Sequence, residues 1–207
     1  MLAKLLARHL RTPAGWIGRL VALLMNAGNR EMNIAAIQAL GIAPAHRVLE
    51  VGFGGGVALA NLLACIPQGR VAGLELSSTM LRRAQRRFRV AITQGRLRLE
   101  QGAIDPMPFP DASFDRLLSV NTIYFWPDPL SAVREIRRVL SPAGRVVLGY
   151  RTPAAMATIP ATRHGFRIFE AAEVEGLLRS AGFQEVVSKE AGIGRQAFIL
   201  TQAAVLK

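Results

Sequence analysis

The chain has 207 residues, 51% hydrophobic and 19% charged, which excludes a disordered chain and suits one domain with a full core. One cysteine, Cys65, excludes a disulfide scaffold and a multi-cysteine metal centre, and fits a reducing, cytoplasmic setting. The 26 Lys+Arg against 14 Asp+Glu give a formal net charge of +12, which an anionic partner or simple arginine usage would equally explain.

The first 30 residues carry Lys4, Arg8, Arg11, Arg19 and Arg30 and no acid. Leu2, Leu5, Leu6 and Leu10 share one helical face, with the basic residues mostly off it. The apolar run Leu20–Met25 is far short of the roughly 20 residues of a membrane span, and no cleavage pattern follows it. The expectation is a helical extension over residues 1–46, packed on the domain as a cap or dimer helix, with an anionic membrane surface as its rival partner.

From Val48 strands and helices alternate. Arg47–Val51 predicts a strand that runs into glycines, Val57–Ile66 a helix, and Val71–Leu76 a second strand. Ser77 or Ser78 caps a helix continuing to about Ile92. In its apolar setting, Cys65 is expected to be buried. Leu97–Leu99 and Phe114–Ile123 read as the third and fourth strands, Leu130–Leu140 as a helix, and Arg145–Tyr150 as the fifth strand after a turn at Ser141–Gly144. Residues Thr152–Phe166 lack a clear period and are a candidate active-site loop. A helix Ala171–Ser180 and two strands, Phe183–Ser188 and Gln196–Thr201, close the chain. This order predicts an α/β fold: a Rossmann-like, doubly wound, seven-stranded sheet, mostly parallel, with an antiparallel strand near one edge and N-terminal helices. The domain proper is expected over residues 47–207.

The most informative stretch is Val48-Leu49-Glu50-Val51-Gly52-Phe53-Gly54-Gly55-Gly56. An apolar strand carrying an acid passes into glycines at 52, 54 and 56, and a helix follows at once. Glycines there permit positive φ and close approach of a ligand to the backbone, and the helix start offers free N–H groups to an anionic group. The spacing is E-x-G-x-G-x-G, so the dinucleotide pattern G-x-G-x-x-G fails at Val57. Glu75 ends the second strand 19 residues after Gly56, near the offset of a ribose-binding acid in a nucleotide fold.

On these residues the chain resembles the class I S-adenosylmethionine-dependent methyltransferases. Leu74-Glu75-Leu76-Ser77, the run Gly102-Ala103-Ile104-Asp105 leading to Asp115, and Val139-Leu140-Ser141-Pro142-Ala143-Gly144-Arg145 look like that family's ribose, adenine and pre-strand-five segments. The resemblance spans about Arg47 to Thr201 and is specific to fold and cofactor, not to substrate. It implies that Gly52, Gly54 and Gly56 face the methionine part and ribose. It puts Glu50 near the amino group, Glu75 and its neighbour Leu76 at the ribose, and Ala103 and Ile104 at the adenine, with Asn121 near the reacting methyl. The family often has Asp at the position of Ala103, and Asp105 is the candidate replacement.

Asn121-Thr122-Ile123-Tyr124 is similar to the N-P-P-Y signature of amino-group methyltransferases but lacks both prolines. The following Phe125-Trp126-Pro127-Asp128 fits small-molecule members better. Tyr124, Phe125 and Trp126 are expected to line the acceptor pocket or pack beneath it. Methyl transfer from a sulfonium needs positioning and water exclusion more than a base. His164 and Tyr124 are nevertheless the candidates for catalysis; His46 precedes strand one and reads as structural. No metal is expected. Arg82, Arg83, Arg86, Arg87 and Arg89, and Arg134, Arg137 and Arg138, form two basic groups on covering helices. They admit an RNA or anionic-membrane partner, but a solvated face is the simpler reading. The resulting expectation is a cytoplasmic monomer or homodimer that moves a methyl from S-adenosylmethionine to a small organic acceptor, leaving S-adenosylhomocysteine. The rivals are an RNA or protein methyltransferase using the basic helices and a non-catalytic S-adenosylmethionine-binding protein.

Overall fold

The computed structural model describes residues 29–163 and 166–206. The amphipathic stretch ahead of residue 29, and His164, lie outside the described residues. The described chain runs α1 (Arg30–Ala39), β1 (Arg47–Val51), α2 (Val57–Cys65), β2 (Arg70–Glu75), α3 (Ser78–Arg87), α4 (Arg89–Thr93), β3 (Leu97–Gln101) and β4 (Phe114–Val120). It continues through α5 (Pro129–Val139), β5 (Leu140–Arg151), α6 (Pro153–Ala157), α7 (Ala171–Ser180), β6 (Gln184–Ala191) and β7 (Phe198–Ala204). Short 3-10 turns lie at Ile123–Phe125, Pro160–Arg163 and Gly194–Gln196.

The seven strands form one sheet in the order β3-β2-β1-β4-β5-β7-β6. β1 to β5 run parallel, and β7 is antiparallel to both β5 and β6. The antiparallel strand therefore sits one place in from the edge, which β6 occupies. The central strands are apolar on both sides, as a sheet covered by helices on both faces requires. Residues alternate between the two cores. Leu49, Leu74, Leu117 and Val146 pack with Ile136 and Leu178, while Val48, Val71, Leu118 and Val147 pack with Met32, Leu59 and Ala84. Truncating one of the fully buried leucines, Leu49 or Leu117, costs roughly 2–5 kcal/mol. α1 belongs to this second core through Met32, Ala36, Ile37 and Leu40. Although it falls within the 1–46 extension, it is an integral layer of the domain.

Four local readings change. The helix expected to run from Ser78 to Ile92 breaks at Phe88 (φ −105°, ψ 21°). The tertiary reason is that the Phe88 ring lies on Gly56, where an added Cβ would meet it at 2.8 Å. Cys65 is exposed, not buried, because the helix ends there and Ile66 takes the core position. Ser141–Gly144 is a bulge inside β5, since Phe114 pairs with Leu140 and Arg116 next with Arg145. The segment after β5 is not irregular throughout: Pro153 starts α6, and the Thr152 side chain caps it by accepting from Ala155 N.

At the end of the sheet remote from the glycines, Arg47 donates to Asp115 from its backbone N and from Nε and Nη2 of its guanidinium, and Ser141 Oγ donates to the same carboxylate. Burial alone would raise the carboxyl's pKa, but these donors outweigh it and hold Asp115 at about 2. His46, also at that end, accepts from Ala43 N through Nδ1, a structural contact as expected.

Candidate active site

The carboxyl ends of β1, β2 and β4 open onto a cavity of about 340 Å³. A crevice at this edge is where open α/β sheets bind ligands. Its walls come from the turn after β1, the ends of β2 and β3, the segment after β4, and the start of α1.

The glycine turn is held from both sides. Gly52 has φ +74°, and an added Cβ would lie 2.3 Å from Thr122 Cγ2. Only glycine therefore lets the turn pass beneath the segment after β4. Thr122 is itself in a short contact with Ser119 Oγ, which also donates to Val51 O. Gly56 has φ +71° and carries the Phe88 ring, while Arg87 donates to Gly55 O at 2.9 Å. The backbone of Gly52, Gly54 and Gly55 faces the cavity; Gly56, the N-cap of α2, does not line it but turns the chain into the helix.

Two carboxylates share the cavity. Glu50 pairs with Gly73 across to β2, so Glu75, two residues further on, points to the same face of the sheet. Both are buried, at 6% and 7% exposure. Glu75 Oε2 accepts from Gly54 N at 2.9 Å and Oε1 from Ser77 N at 2.8 Å. Burial raises the Glu75 pKa, and the N–H donors of Ser77, Gly54 and Leu76 oppose that rise. Glu50 has no such relief: its Oε2 is buried without a hydrogen-bond partner. Burial, with the Glu75 charge beside it, raises its pKa to about 8. A buried carboxylate without a partner is complementary to a cation.

Ala103 and Ile104 line the cavity beside Gly102, and the exposed Leu76 forms its lip; Asp105 is not part of the lining. Asn121 lines the opposite end. It adopts φ +57°, a conformation asparagine tolerates, and its N donates to Gly149 O. Phe125 and Trp126 also line the cavity, but Tyr124 does not. The 3-10 turn points Tyr124 inward, where its hydroxyl donates to Asn121 Oδ1 at 2.9 Å and accepts from Arg151 N. Burial pushes its phenol well above the ordinary value. The candidate catalytic tyrosine is therefore a strut behind the wall.

Asn29 and Asn33 of the α1 region also line the cavity, and sequence reasoning missed both. Asn33 carried a signal: it is the polar member of an otherwise apolar buried face with Met32, Ala36 and Ile37. Among the described residues, no three His, Cys, Asp or Glu are grouped to hold a metal ion, and no helix is long and apolar enough to cross a membrane.

Residues 49–148 match the family model described as a methyltransferase domain. The chain is 30% identical over 163 residues to the uncharacterised methyltransferase YdaC of Bacillus subtilis, covering 79% of this chain and 85% of that one. The chain belongs to the class I S-adenosylmethionine-dependent methyltransferases. A further relative in sequence, the demethylmenaquinone methyltransferase of Deinococcus radiodurans, is 32% identical over 153 residues, or 74% of this chain and 60% of that protein. In structure, a SAM-dependent methyltransferase from Aquifex aeolicus superposes with a TM-score of 0.69 at 19% identity, covering 84% of this chain and 89% of that one. That likeness shows the methyltransferase fold, with its seven-stranded sheet and flanking helices.

Proposed function

We propose that the chain transfers a methyl group from S-adenosylmethionine to a small organic acceptor bound at the Asn121–Trp126 end of the cavity. The observation that carries this reading is the pair of buried carboxylates beside a glycine turn, one oxygen of Glu50 having no partner. S-Adenosylmethionine fits that arrangement. Its ammonium answers Glu50, and its ribose hydroxyls answer the remaining lone pairs of Glu75, whose other acceptor capacity is taken by Gly54 and Ser77. The N–H groups of Val57 and Ala58, in the first turn of α2 and lining the cavity, suit its carboxylate, and Ala103 and Ile104 suit its adenine.

When bound, S-adenosylmethionine supplies a methyl activated on a sulfonium. The chain's own residues bind, orient and exclude water. Gly52 keeps the floor of the cavity low. Phe125 and Trp126 dry the end where the acceptor would enter. Glu50 and Glu75 are the titratable groups among the described lining residues, and both belong to the cofactor side of the proposal. No described lining residue is positioned as a base at the acceptor end, and methyl transfer needs one only where the acceptor is protonated.

The small-molecule reading is favoured over RNA by the cavity, whose lining includes Asn33 of α1 and the aromatic Phe125 and Trp126, while Arg82, Arg86 and Arg89 lie exposed on helices outside it. The relative named for demethylmenaquinone is consistent with a small acceptor. A cytoplasmic location is part of the same proposal. Calorimetry with S-adenosylmethionine and S-adenosylhomocysteine tests it: one-to-one binding of both is expected, and absence of both overturns the reading.

A further inference from the structure

The acceptor end of the cavity carries asparagines whose orientation is dictated by their neighbours. A guanidinium can only donate, and the Arg151 Nη2 contact at 3.0 Å therefore fixes Asn29 Oδ1 toward Arg151. Tyr124 OH already accepts from Arg151 N, and its proton goes to Asn121 Oδ1. Both carbonyl oxygens are thus taken by the protein. Both Nδ2 groups remain as donors, with no protein acceptor on either among the described residues. One residue organises the pair: the Arg151 backbone sets Tyr124 and so Asn121, while its side chain sets Asn29. Arg151 is itself fixed, 8% exposed and donating to Gln196 O and Gln196 Oε1.

Two amide donors with their acceptor atoms turned away, on an end of the cavity without a described base, suit a negatively charged oxygen. We propose that Asn29 and Asn121 bind an anionic oxygen of the methyl acceptor, which is a phenolate- or enolate-class molecule entering as its anion. This deepens the methyltransferase reading and rests on it. The step balances without a base. An electron pair of the acceptor anion forms the bond to the methyl carbon, and the carbon–sulfur pair leaves on sulfur as a neutral thioether. Where oxygen attacks, no proton is released; where the conjugated carbon attacks, the proton on that carbon is lost afterwards to water. Tyr124 and Arg151 are positioning residues that keep both amides from flipping.

Two probes that differ by the oxyanion alone, 4-nitrophenolate and nitrobenzene, test the assignment. Their affinities are measured on full-length protein saturated with S-adenosylhomocysteine, above the pH at which the phenol ionises. The phenolate is expected to bind at least about tenfold more tightly, the worth of one charge-assisted hydrogen bond. Asn121→Asp, which keeps the shape and the tolerance for positive φ, and Asn29→Asp each replace a donor by an anion and should abolish or reverse the preference. Tyr124→Phe should reduce the preference and leave nitrobenzene affinity unchanged, which a merely structural role would not do. Equal affinity for the two probes, no phenolate binding, or an unchanged preference in both Asp variants overturns the inference. Failure of S-adenosylhomocysteine itself to bind overturns the methyltransferase reading instead.

Discussion

At the glycine-turn end of the cavity the polar groups are two buried carboxylates and a row of backbone amides; at the other end they are asparagines among aromatic rings. The first end is ionic and pinned by backbone: Glu75 is held by Gly54 and Ser77, and Gly52 N donates to Leu74 O. The second is neutral and pinned by side chains, through Tyr124 and Arg151, with Phe125 against Phe166 at 4.6 Å between ring centroids. Backbone pinning belongs to a ligand that is always the same. Side-chain pinning can be changed one substitution at a time, and it is found at the end proposed for the acceptor.

The contrast breaks most visibly with pH. Burial and the neighbouring Glu75 raise the Glu50 pKa to about 8, above its ordinary unfolded value. The native state therefore binds more protons than the unfolded state between roughly pH 4.5 and 8. Stability should fall as pH rises through that window, by up to a few kcal/mol from this group. Chemical denaturation across pH should show the decline, and Glu50→Gln should remove it, making the variant the more stable at pH 8. Saturating S-adenosylmethionine should weaken the wild-type decline, because its ammonium favours the ionised carboxylate. A wild-type profile flat from pH 5 to 8 would mean that water relieves the buried Glu50 carboxylate.

Glu75→Ala should act on affinity. It removes the carboxylate proposed for the ribose and releases the N–H groups of Gly54 and Ser77. Calorimetry should find S-adenosylmethionine weakened roughly 30-fold or more, about 2 kcal/mol, the range for hydrogen bonds to a charged group. Unchanged affinity would refute the ribose role. Gly52→Ala tests the seam between the two ends, since the added methyl meets Thr122 Cγ2 at a φ that alanine disfavours. The combined strain is expected to cost about 2 kcal/mol in denaturant unfolding. Adding Thr122→Ser removes the clashing methyl and keeps the hydroxyl, so it should recover part of that loss. No recovery would show that the backbone angle alone makes glycine necessary.

How much of this was legible in sequence depends on where the cause lies. The β1–turn–α2 unit was readable because strand, glycines and helix each carry a local signal, and Glu75 followed from its spacing. The break at Phe88 was not, since the helical period runs on through it and the cause is Gly56, in a different part of the chain. The aromatic run after β4 was rightly located at the cavity. Which ring faces in is decided by the 3-10 turn Ile123–Phe125, and that turn buries Tyr124 rather than lining the cavity with it. Asn29 and Asn33 reach the cavity from the α1 region, which packs beside α2 on the same face of the sheet but lies outside the motifs. Asn33 showed only as a polar interruption of an apolar face. The ionic end was thus legible from motif, whereas the neutral end depends on packing between distant elements.

Cys65 offers the smallest effect and a control outside both ends. It read as core because the helix around it is apolar, and its position at the close of α2 also continues the spacing of the buried Ala58 and Leu62. The helix stops there, and Ile66 at the C-cap is the side chain that is fully buried. An exposed thiol on a helix end contributes little to packing, so Cys65→Ser should change stability by less than about 0.5 kcal/mol. The chain's single thiol should react at once with a thiol reagent in the folded protein. Labelling should leave S-adenosylmethionine affinity and the phenolate preference unchanged, since Cys65 is not among the residues that line the cavity. A thiol that reacts only after unfolding would restore the core reading, and altered binding after labelling would mean that the rear of α2 communicates with the glycine turn at its front.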